Sequence, residues 1–415
     1  MLYIEGNRPL GGSVKIHGAK NAALPILAAA FVCDGKTVLH NCPNLSDVDA
    51  ALEILRTLGC KVERDSSDVI IDSSGAANCA ISPELMQKMR SSVIFLGAIL
   101  AKCKKASIYM PGGCELGPRP IDIHLKSLEL LGAKITEHGG KIDCECGGLC
   151  GCELNLPFPS VGATENIILA AITADGQTVI HNAACEPEIA DLCDYLNKCG
   201  AKIAGAGSSN ITIDGVAWLH GCEHTIIPDR IEAATYMAAA AITGSKITLQ
   251  SIIPEHIKPV LFAFREAGCS FDFDTDSMTI YSPKRLNRVK TVRTLVYPGF
   301  PTDALSPFMA MMTVANGTSI FIETIFHNRF KQLGALCSMG ANIKTEGRVA
   351  VVEGVCSLYS SCVTATDLRG GASLIIAALK ADGVTKIEGI NHIDRGYEDI
   401  EGTLCGLGAS VIRNE

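Results

Sequence analysis

The sequence predicts an α/β protein built from six similar units, arranged as two domains of three units each. Two patterns support this prediction. A segment of the form Leu-Gly-Ala-x-Ile, with variation, recurs along the chain, and its glycines are separated by 68 to 73 residues. Stretches rich in Ala, Ser and Gly lie between these segments, and each precedes a β-branched strand. Such steady self-similarity indicates a repeat architecture rather than an ordinary doubly wound sheet.

Each recurrent glycine is predicted to end an amphipathic helix. Before Gly59, apolar residues from Val48 to Leu58 fall on one helical face, and Ser46 with Asp49 has the spacing of a capping box. Glycine can adopt the left-handed conformation that closes a helix, and a strand follows at once. The six positions are Gly59, Gly132, Gly200, Gly268, Gly340 and Gly408.

The second set of helices is predicted to be buried. Small side chains on every side permit close packing, so these helices belong inside each domain and the amphipathic helices outside. Each unit then runs strand, buried helix, strand, outer helix and two strands, a βαβαββ order. The buried segments are Ala22–Phe31, Ser91–Ala101, Ala163–Ala174, Ile231–Ile242, Ala304–Ala315 and Gly371–Ala381.

The composition is typical of a folded, cytoplasmic protein. Hydrophobic residues make up 47% and aromatic residues 5% of the 415 positions, so small and aliphatic side chains must form the core. The longest apolar stretches are too short to span a bilayer, and no signal peptide is visible, so no membrane association is expected. Most of the 19 cysteines take alanine-like positions, which favours reduced thiols over a disulfide scaffold.

Metal and nucleic acid are both disfavoured. Cys144 and Cys146, like Cys150 and Cys152, have poor spacing for structural zinc and no interleaved histidine, so we expect no metal and no cofactor. A net charge of −8 argues against a nucleic-acid surface. A small anionic substrate would then need a local cluster of Lys and Arg. We expect the protein to be a monomer.

Such a cluster is predicted at the residues that open the buried helices. Helix N-termini offer free N–H groups and the positive end of a dipole, which suit phosphate or carboxylate groups. Each cation taken alone can belong to a solvated face or a local ion pair. Their repeated placement instead predicts a cleft between the domains that binds a ligand with several negative charges. The cations at the buried-helix starts are Lys20, Arg90, Arg230 and Arg369, and the loops before the outer helices add Arg119, Arg329 and Arg395.

Two further features suggest chemistry. Asp303 opens the fifth buried helix, where a carboxylate is suited to accept a proton from a substrate hydroxyl, with a helix N-cap as the alternative. The stretch Pro111–Pro120 contains three Gly and three Pro, so it must be a loop. Its Cys114 and Arg119 indicate a lid that closes over an anion, with a surface turn as the alternative.

Taken together, these residues resemble the UDP-N-acetylglucosamine 1-carboxyvinyltransferase family of enolpyruvyl transferases, over essentially the whole chain. The resemblance rests on a set of motifs in a fixed order. They are Gly18–Pro25, Pro111–Cys114 with Arg119–Pro120, Ser160–Thr164, Glu186–Ile189, Phe300–Asp303, Glu323–Thr324 with Asn328–Phe330, Ala365–Arg369 and His392–Glu398.

The resemblance implies a two-domain inside-out α/β barrel, like that of enolpyruvyl transferases, with an active site in the cleft between the domains. One domain would span residues 20–227 and carry the Cys114 lid, and the other would combine residues 1–19 with 228–415. The implied reaction transfers the enolpyruvyl group of phosphoenolpyruvate to the 3′-hydroxyl of UDP-N-acetylglucosamine. It releases phosphate through a tetrahedral ketal and is the first committed step of peptidoglycan synthesis.

The resemblance also implies roles for individual residues. Cys114 would protonate C3 of phosphoenolpyruvate, form a covalent adduct at C2 and be the target of fosfomycin-type epoxides, while Asp303 would handle the hydroxyl proton. Lys20, Arg119 and Arg395 would surround the phosphate and Arg369 would lie near the carboxylate. The other implied substrate-binding positions are Asn21, Arg90, Pro120, Ile121, Asp122, Ile123, Phe158, Ser160, Val161, Gly162, Ile325, Arg329 and Asp367.

One departure from the family pattern lies at Phe158, where some members have lysine, so a uridine contact there must be apolar or through the main chain. Three alternatives remain open. A shikimate 3-phosphate enolpyruvyl transferase shares the architecture but lacks the Gly-Gly-Cys lid. An RNA 3′-phosphate cyclase would need an ATP site and a nucleotidylated histidine such as His392. An inactive UDP-sugar-binding regulatory paralogue is disfavoured by the intact Lys20, Cys114, Asp303 and Arg395.

Overall fold

The computed structural model describes residues 1–110 and 121–414, apart from the side chain of Arg90. The predicted lid, with Cys114, Arg119 and Pro120, therefore lies outside the described residues. The described chain divides into two compact units, one formed by Met1–His17 with 228–414 and the other by 18–110 with 121–227. Each unit has a hydrophobic core of its own.

Apart from the short helix Pro83–Lys88, the helices of the described residues alternate between the two predicted kinds. In chain order they are α1 (Lys20–Val32), α2 (Ser46–Thr57), α3 (Pro83–Lys88), α4 (Phe95–Cys103), α5 (Asp122–Leu130), α6 (Val161–Ala171), α7 (Pro187–Lys198), α8 (Arg230–Thr243), α9 (Pro254–Glu266), α10 (Thr302–Met312), α11 (Leu333–Ser338), α12 (Leu368–Ala378) and α13 (Ile400–Gly406). Short 3-10 turns occupy Arg90–Ile94 and Ile390–His392.

The strands are short and are spread along the whole chain. They are β1 (Leu2–Glu5), β2 (Ser13–Lys15), β3 (Lys36–His40), β4 (Lys61–Asp65), β5 (Asp68–Asp72), β6 (Lys105–Tyr109), β7 (Lys134–His138), β8 (Lys141–Glu145), β9 (Glu153–Asn155), β10 (Gln177–His181), β11 (Lys202–Ala204), β12 (Asn210–Asp214), β13 (Glu223–Thr225), β14 (Lys246–Gln250), β15 (Ser270–Phe273), β16 (Ser277–Tyr281), β17 (Thr291–Arg293), β18 (Thr318–Ile322), β19 (Asn342–Glu346), β20 (Val349–Glu353), β21 (Leu358–Tyr359), β22 (Cys362–Thr364), β23 (Ala381–Asp382), β24 (Val384–Glu388) and β25 (Ser410–Arg413).

Three small-residue helices form the centre of each unit. Helices α1, α4 and α6 pack against one another in one unit, and α8, α10 and α12 do so in the other. Every residue from Ala22 to Val32 is buried, as is every residue from Ile231 to Ile242. The six buried helices predicted from the sequence are thus confirmed. One begins differently, because Arg90–Ile94 forms a 3-10 turn ahead of α4.

The outer helices are amphipathic, and no helix in the described ranges is both long and apolar enough to span a bilayer. All six end in the same hydrogen-bonded turn. The recurrent glycine has φ between +93° and +102°, and the N–H of the following residue donates to the carbonyl five residues earlier at 2.9–3.1 Å. These are Schellman turns, which need a residue that tolerates the left-handed conformation. They explain why glycine recurs at a constant place in each unit.

The start of α2 differs from its prediction. Leu45 precedes the helix and makes no side-chain cap, while Ser46 is already its first residue. The predicted capping box at Ser46 and Asp49 is therefore wrong. The acidic side chains of Asp47 and Asp49 instead lie in the first turn, where negative charge interacts favourably with the helix dipole.

The sheets repeat one pattern. In five four-stranded sheets, a central strand has a parallel neighbour on one side and an antiparallel pair on the other. In the three-stranded sheet of β6, β8 and β7, a parallel bridge between Ala80 and Ser107 takes the place of the parallel neighbour. Strand β1 completes the sheet of β22, β24 and β25, where it pairs antiparallel with both β24 and β25. Strand β2 lies parallel to β14.

One central helix carries a buried acid. Glu165 in α6 is 5% exposed, and burial, followed by the charges of Glu188 and Glu186, raises its pKa well above the ordinary value of 4.5. The fold therefore favours the neutral carboxylic acid over the carboxylate at this position.

Replacing Gly408 by alanine should destabilise the unit that contains α13 by about 1–2 kcal/mol, because an L-residue is strained in the left-handed region. An added Cβ would lie 3.5 Å from the carbonyl oxygen of Pro9, which is an ordinary contact. The strained backbone conformation of the alanine therefore accounts for the whole loss of stability. Urea unfolding measures the effect. The matched control is Gly406→Ala, where nothing lies within 4 Å of the new Cβ and helix propensity favours alanine. Equal effects of the two substitutions would contradict this account.

Replacing Glu165 by glutamine should stabilise the protein increasingly as the pH rises. The folded-state pKa is raised, so the wild-type chain loses stability as the pH climbs above the unfolded value of 4.5. Glutamine has no charge and avoids this loss. Urea unfolding at about pH 5 and about pH 8 should show a growing advantage for Glu165→Gln, whereas exposed Glu63→Gln should show none. A pH-independent difference would count against the buried-acid interpretation.

Candidate active site

The first turn of α10 carries the carboxylate of Asp303. Its oxygens contact two guanidinium groups: Nη2 of Arg329 lies 2.5 Å from Oδ1, and Nη2 of Arg369 lies 3.2 Å from Oδ2. Pro301 is the residue that precedes the helix, and it provides no side-chain cap. The N-cap alternative for Asp303 is therefore wrong. The side chain of Asp303 is 28% exposed and can still be reached from solvent.

Arg329 is fixed from several directions. Its side chain is 2% exposed, and its Nε and Nη2 donate to the carbonyl of Thr302 at 3.1 and 2.9 Å. The hydroxyl of Thr302 donates to Glu323 at 2.8 Å, and the other oxygen of Glu323 accepts the N–H groups of Ile325 and Phe326. Glu323 thus joins the loop after β18 to the start of α10.

Arg369 lies in the first turn of α12, where Asp367 caps the helix by accepting the N–H groups of Arg369 and Gly370 at 3.1 and 3.0 Å. The guanidinium of Arg369 is 3% exposed and donates to the hydroxyl of Tyr397 at 3.1 Å. That hydroxyl lies 2.8 Å from Oγ1 of Thr235. Arginine can only donate, so the Tyr397 hydroxyl accepts from Arg369 and donates to Thr235.

Acidic and phenolic groups surround Arg369. Burial alone would lower the pKa of Arg369, but Tyr397, Asp303 and Asp229 together raise it above its usual value. Burial raises the pKa of Tyr397, so this phenol stays neutral. Arg369 therefore stays cationic, and the carboxylates of Asp303, Asp367 and Asp229 lie around it.

Two buried polar atoms in this group have no partner within the described chain: Oδ2 of Asp367 and Nε of Arg369. Unsatisfied buried polar atoms are rare and call for an explanation. Both atoms are inaccessible to solvent, so a ligand could reach them only if neighbouring side chains moved.

Arg395 lies on the turn before α13, two residues before Tyr397, and is half-buried. The neighbouring Asp394 receives two hydrogen bonds from Arg413, at 3.1 and 2.8 Å. Arg413 also bonds Glu401 at 2.9 Å. The turn that carries Arg395 is thus tied to strand β25 and helix α13.

In the other unit, Lys20 is the first residue of α1 and Asn21 follows it. Nζ of Lys20 lies 3.2 Å from Oδ2 of Asp47, in the first turn of α2. The side chains are 12% and 5% exposed. The carboxylate of Asp47 therefore holds the ammonium group of Lys20 at the start of α1.

Two segments with implied substrate-binding positions, Ile121–Ile123 and Phe158–Gly162, meet through His124. Ile121, Asp122 and Ile123 lead into α5, and Ser160 caps α6 by accepting the N–H of Ala163 at 3.4 Å. A Cβ on Gly162 would lie 3.0 Å from the His124 ring, so only glycine fits there without a shift. Phe158 is 41% exposed beside this contact, and its carbonyl accepts the N–H of Ser160.

His124 itself is buried and neutral. Burial lowers its pKa to about 4. The amide nitrogen of Asn166 lies 2.8 Å from Nδ1, and it also donates to the carbonyl of Val93. Asn166 therefore donates to Nδ1, which leaves the ring proton on Nε2.

The structure therefore brings together Asp303, Arg329, Asp367 and Arg369 in one unit. Ile325 is linked to this group through Glu323, which accepts its N–H group. In the unit of residues 18–227, the structure brings together the segments Ile121–Ile123 and Phe158–Gly162. Arg90 opens a 3-10 turn, and Arg230 stacks on Tyr297 at 5.5 Å. Among the described residues, no group of three or more His, Cys, Asp or Glu side chains could hold a metal ion.

Several residues of these sites were not predicted as such. Glu323, Tyr397, His124 and Asp47 act through partners that are distant in sequence. The sequence contains only weak indications of these roles: Glu323 directly follows the apolar strand β18, and Tyr397 lies two residues after Arg395.

Comparison with known proteins gives a consistent result. Residues 4–404 match the family model of EPSP synthase (3-phosphoshikimate 1-carboxyvinyltransferase). The chain is 50% identical over 410 residues to UDP-N-acetylglucosamine 1-carboxyvinyltransferase 2 of Caldanaerobacter subterraneus subsp. tengcongensis, covering 99% of this chain and 98% of the relative. It is 49% identical over 419 residues to UDP-N-acetylglucosamine 1-carboxyvinyltransferase of Finegoldia magna, covering 100% and 99%.

The fold is similar to that of the enolpyruvyl transferase NikO from Streptomyces tendae, with a TM-score of 0.90 at 23% identity over 99% of this chain and 98% of that one. This likeness confirms the predicted fold class. The chain therefore belongs to the EPSP synthase family of enolpyruvyl transferases, together with its UDP-N-acetylglucosamine 1-carboxyvinyltransferase relatives.

Proposed function

We propose that this chain transfers the enolpyruvyl group of phosphoenolpyruvate to the 3′-hydroxyl of UDP-N-acetylglucosamine and releases phosphate, in the first committed step of peptidoglycan synthesis. The observation that carries the proposal is the carboxylate of Asp303 between Arg329 and Arg369, in a chain about half identical to transferases of that name.

The geometry at Asp303 supports a role with the acceptor hydroxyl. A carboxylate offers about four acceptor sites, and each guanidinium contact involves a different oxygen. The carboxylate is also partly exposed, so a substrate hydroxyl can approach it, donate a hydrogen bond and transfer its proton. Because the two arginines are themselves buried and anchored, the carboxylate is held in one orientation before substrate binds.

The cations support a role with phosphoenolpyruvate. Loss of phosphate from a tetrahedral ketal develops charge on the departing group and on the carbon that it leaves. Lys20, Arg119 and Arg395 would stabilise the phosphate, and Arg369 the carboxylate. Cys114 would deliver the proton to C3, and closure of its loop would exclude water.

The nucleotide would bind in the unit of residues 18–227. We propose that Arg119–Ile123 and Phe158–Val161 contact the uridine, since His124, next to the first segment, packs against Gly162, next to the second. Asn21 and Arg90 would contact the sugar nucleotide. Phe158 would offer an aromatic face in place of a charge.

The proposal extends to the cellular setting. Both substrates are cytoplasmic metabolites, so the protein would act in the cytoplasm. It would act as a monomer and would support cell-wall growth, cell shape and division. The domain limits would be 20–227 and 1–19 with 228–415, with the active site formed by residues of both domains.

Phosphate release from phosphoenolpyruvate tests the proposal. Release should require UDP-N-acetylglucosamine and should not occur with shikimate 3-phosphate. Release only with shikimate 3-phosphate would favour the other transferase activity, and release with neither acceptor would favour a regulatory paralogue.

Replacing Asp303 by asparagine should lower turnover by at least about 100-fold, because the amide cannot take up the hydroxyl proton. Binding of UDP-N-acetylglucosamine, measured by calorimetry, should weaken by only about 10- to 100-fold, the loss expected for one hydrogen bond to a charged group. The control is Asp272→Asn, which removes an exposed carboxylate of the same unit. Near-normal turnover of Asp303→Asn would refute the assignment.

Replacing Cys114 by serine should abolish covalent capture of fosfomycin, because the hydroxyl is a far weaker nucleophile than a thiolate. Intact mass after incubation with the epoxide measures the adduct. The matched control is Cys337→Ser, which removes an exposed cysteine and should label like the wild type. An adduct that persists on Cys114→Ser would show that another residue reacts.

A further inference from the structure

Three cysteines converge at the C-terminal end of α1, in the unit of residues 18–227. Cys33 follows α1, Cys199 follows α7, and Cys222 directly precedes β13. The sulfurs of Cys199 and Cys222 lie 3.3 Å apart. The hydroxyl of Tyr195 lies 3.7 Å from the sulfur of Cys33. Helix α1 has 13 residues, so this cluster lies about 20 Å from Lys20 at its other end.

The backbone holds Cys199 and Cys222 side by side. The N–H of His220 donates to the carbonyl of Cys199 at 3.0 Å, and the N–H of Val38 donates to the carbonyl of Cys222 at 2.9 Å. A disulfide has a sulfur–sulfur distance of about 2.05 Å. The two sulfurs must therefore approach by little more than 1 Å, a movement on the scale of side-chain adjustment rather than of refolding.

We propose that Cys199 and Cys222 are a redox modification site, at which a two-electron thiol oxidant converts the two thiols into a disulfide. This site lies apart from the proposed catalytic residues and does not depend on the proposed function. Among the three cysteines only Cys222 is partly exposed, so the oxidant reaches it first.

The reaction balances with an azodicarboxamide such as diamide. The Cys222 thiolate adds to the N=N bond and forms a sulfur–nitrogen bond. The sulfur of Cys199 then attacks the sulfur of Cys222, the sulfur–nitrogen bond breaks, and the hydrazine leaves with the two protons that the thiols have lost. Two thiols are oxidised to one disulfide while one azo bond is reduced.

Cys33 assists the second step. A hydrogen bond from Cys199 lowers the pKa of the Cys33 thiol more than burial raises it, and Tyr195 adds a second such hydrogen bond. As a thiolate, Cys33 can therefore accept the proton of Cys199 while the sulfur–sulfur bond forms and pass it to the departing hydrazine. The pKa of Cys222 is raised by its contact with Cys199 and by burial, so the reaction should accelerate with pH.

The disulfide would close the segment from Cys199 to Cys222, which contains the hairpin of β11 and β12. This segment also contains Trp218, the single tryptophan of the chain. Trp218 is 61% exposed and stacks near His220, with ring centroids 5.6 Å apart. Its fluorescence therefore reports on this segment alone, and the cross-link should also raise the melting temperature.

The test uses the full chain, reduced, desalted and treated with diamide at several values between about pH 7.5 and about pH 9.5, because the pKa of Cys222 is raised above that of an ordinary thiol. Free thiols are then alkylated in denaturant, and peptides are mapped by mass without reduction. We expect a peptide pair linking Cys199 to Cys222, lighter by two hydrogen atoms and separated again by dithiothreitol. Trp218 fluorescence should change on oxidation, and the melting temperature should rise by several degrees, both reversibly.

Three variants sharpen the result. Cys222→Ser should give neither the linked peptide nor the fluorescence change, while its reduced spectrum shows that the segment is folded. Cys33→Ser should give the same link more slowly, and exposed Cys405→Ser should behave like the wild type. Linkage of Cys199 to Cys33, or recovery of Cys199 and Cys222 both alkylated while exposed thiols are oxidised, would overturn the proposal. The wild-type map decides the question even if a variant misfolds.

Discussion

The architecture follows from helices that have no polar face. Helices such as α1 and α8 are mostly apolar and are buried along all but their terminal residues. A helix of this kind must be covered on every side, and in each unit its two companion helices, the outer helices and the sheets provide that cover. Most polar side chains then lie at the helix ends, and only single groups such as Glu165 and Thr235 are buried further along a central helix. The positive dipole ends, rather than the helix faces, are therefore the places where cations and carboxylates accumulate.

The group at α10 illustrates how charge is accommodated there. A buried guanidinium is costly unless its donors are satisfied. Arg329 donates to a carbonyl and a carboxylate, and Arg369 donates to Asp303 and to the hydroxyl of Tyr397. The remaining unpaired atoms belong to Asp367 and Arg369. The protein thus fixes its charged groups before substrate binds, which is the arrangement that favours electrostatic stabilisation of a transition state.

The periodic features could be predicted from the sequence, because each depends on local chemistry. The glycine that closes each outer helix and the small-residue helices belong to this class. The start of α2 was predicted wrongly, since Ser46 has the right spacing for a cap but lies inside the helix. The antiparallel pairing of β1 with β24 and β25 joins strands about 400 residues apart, and no local pattern encodes it. The contacts of Glu323 with Thr302 and of Tyr397 with Thr235 also join residues far apart in the sequence, so no local pattern predicts them.

The central claim is that the carboxylate of Asp303 contacts the hydroxyl that receives the enolpyruvyl group. A thermodynamic cycle of binding tests it, with UDP-N-acetylglucosamine and its 3′-deoxy analogue titrated calorimetrically into the wild type and Asp303→Asn. The account predicts that loss of the hydroxyl weakens binding to the wild type by about 1.5–3 kcal/mol, as expected for a hydrogen bond to a charged group, and much less to the variant. An equal loss in both proteins would contradict the claim.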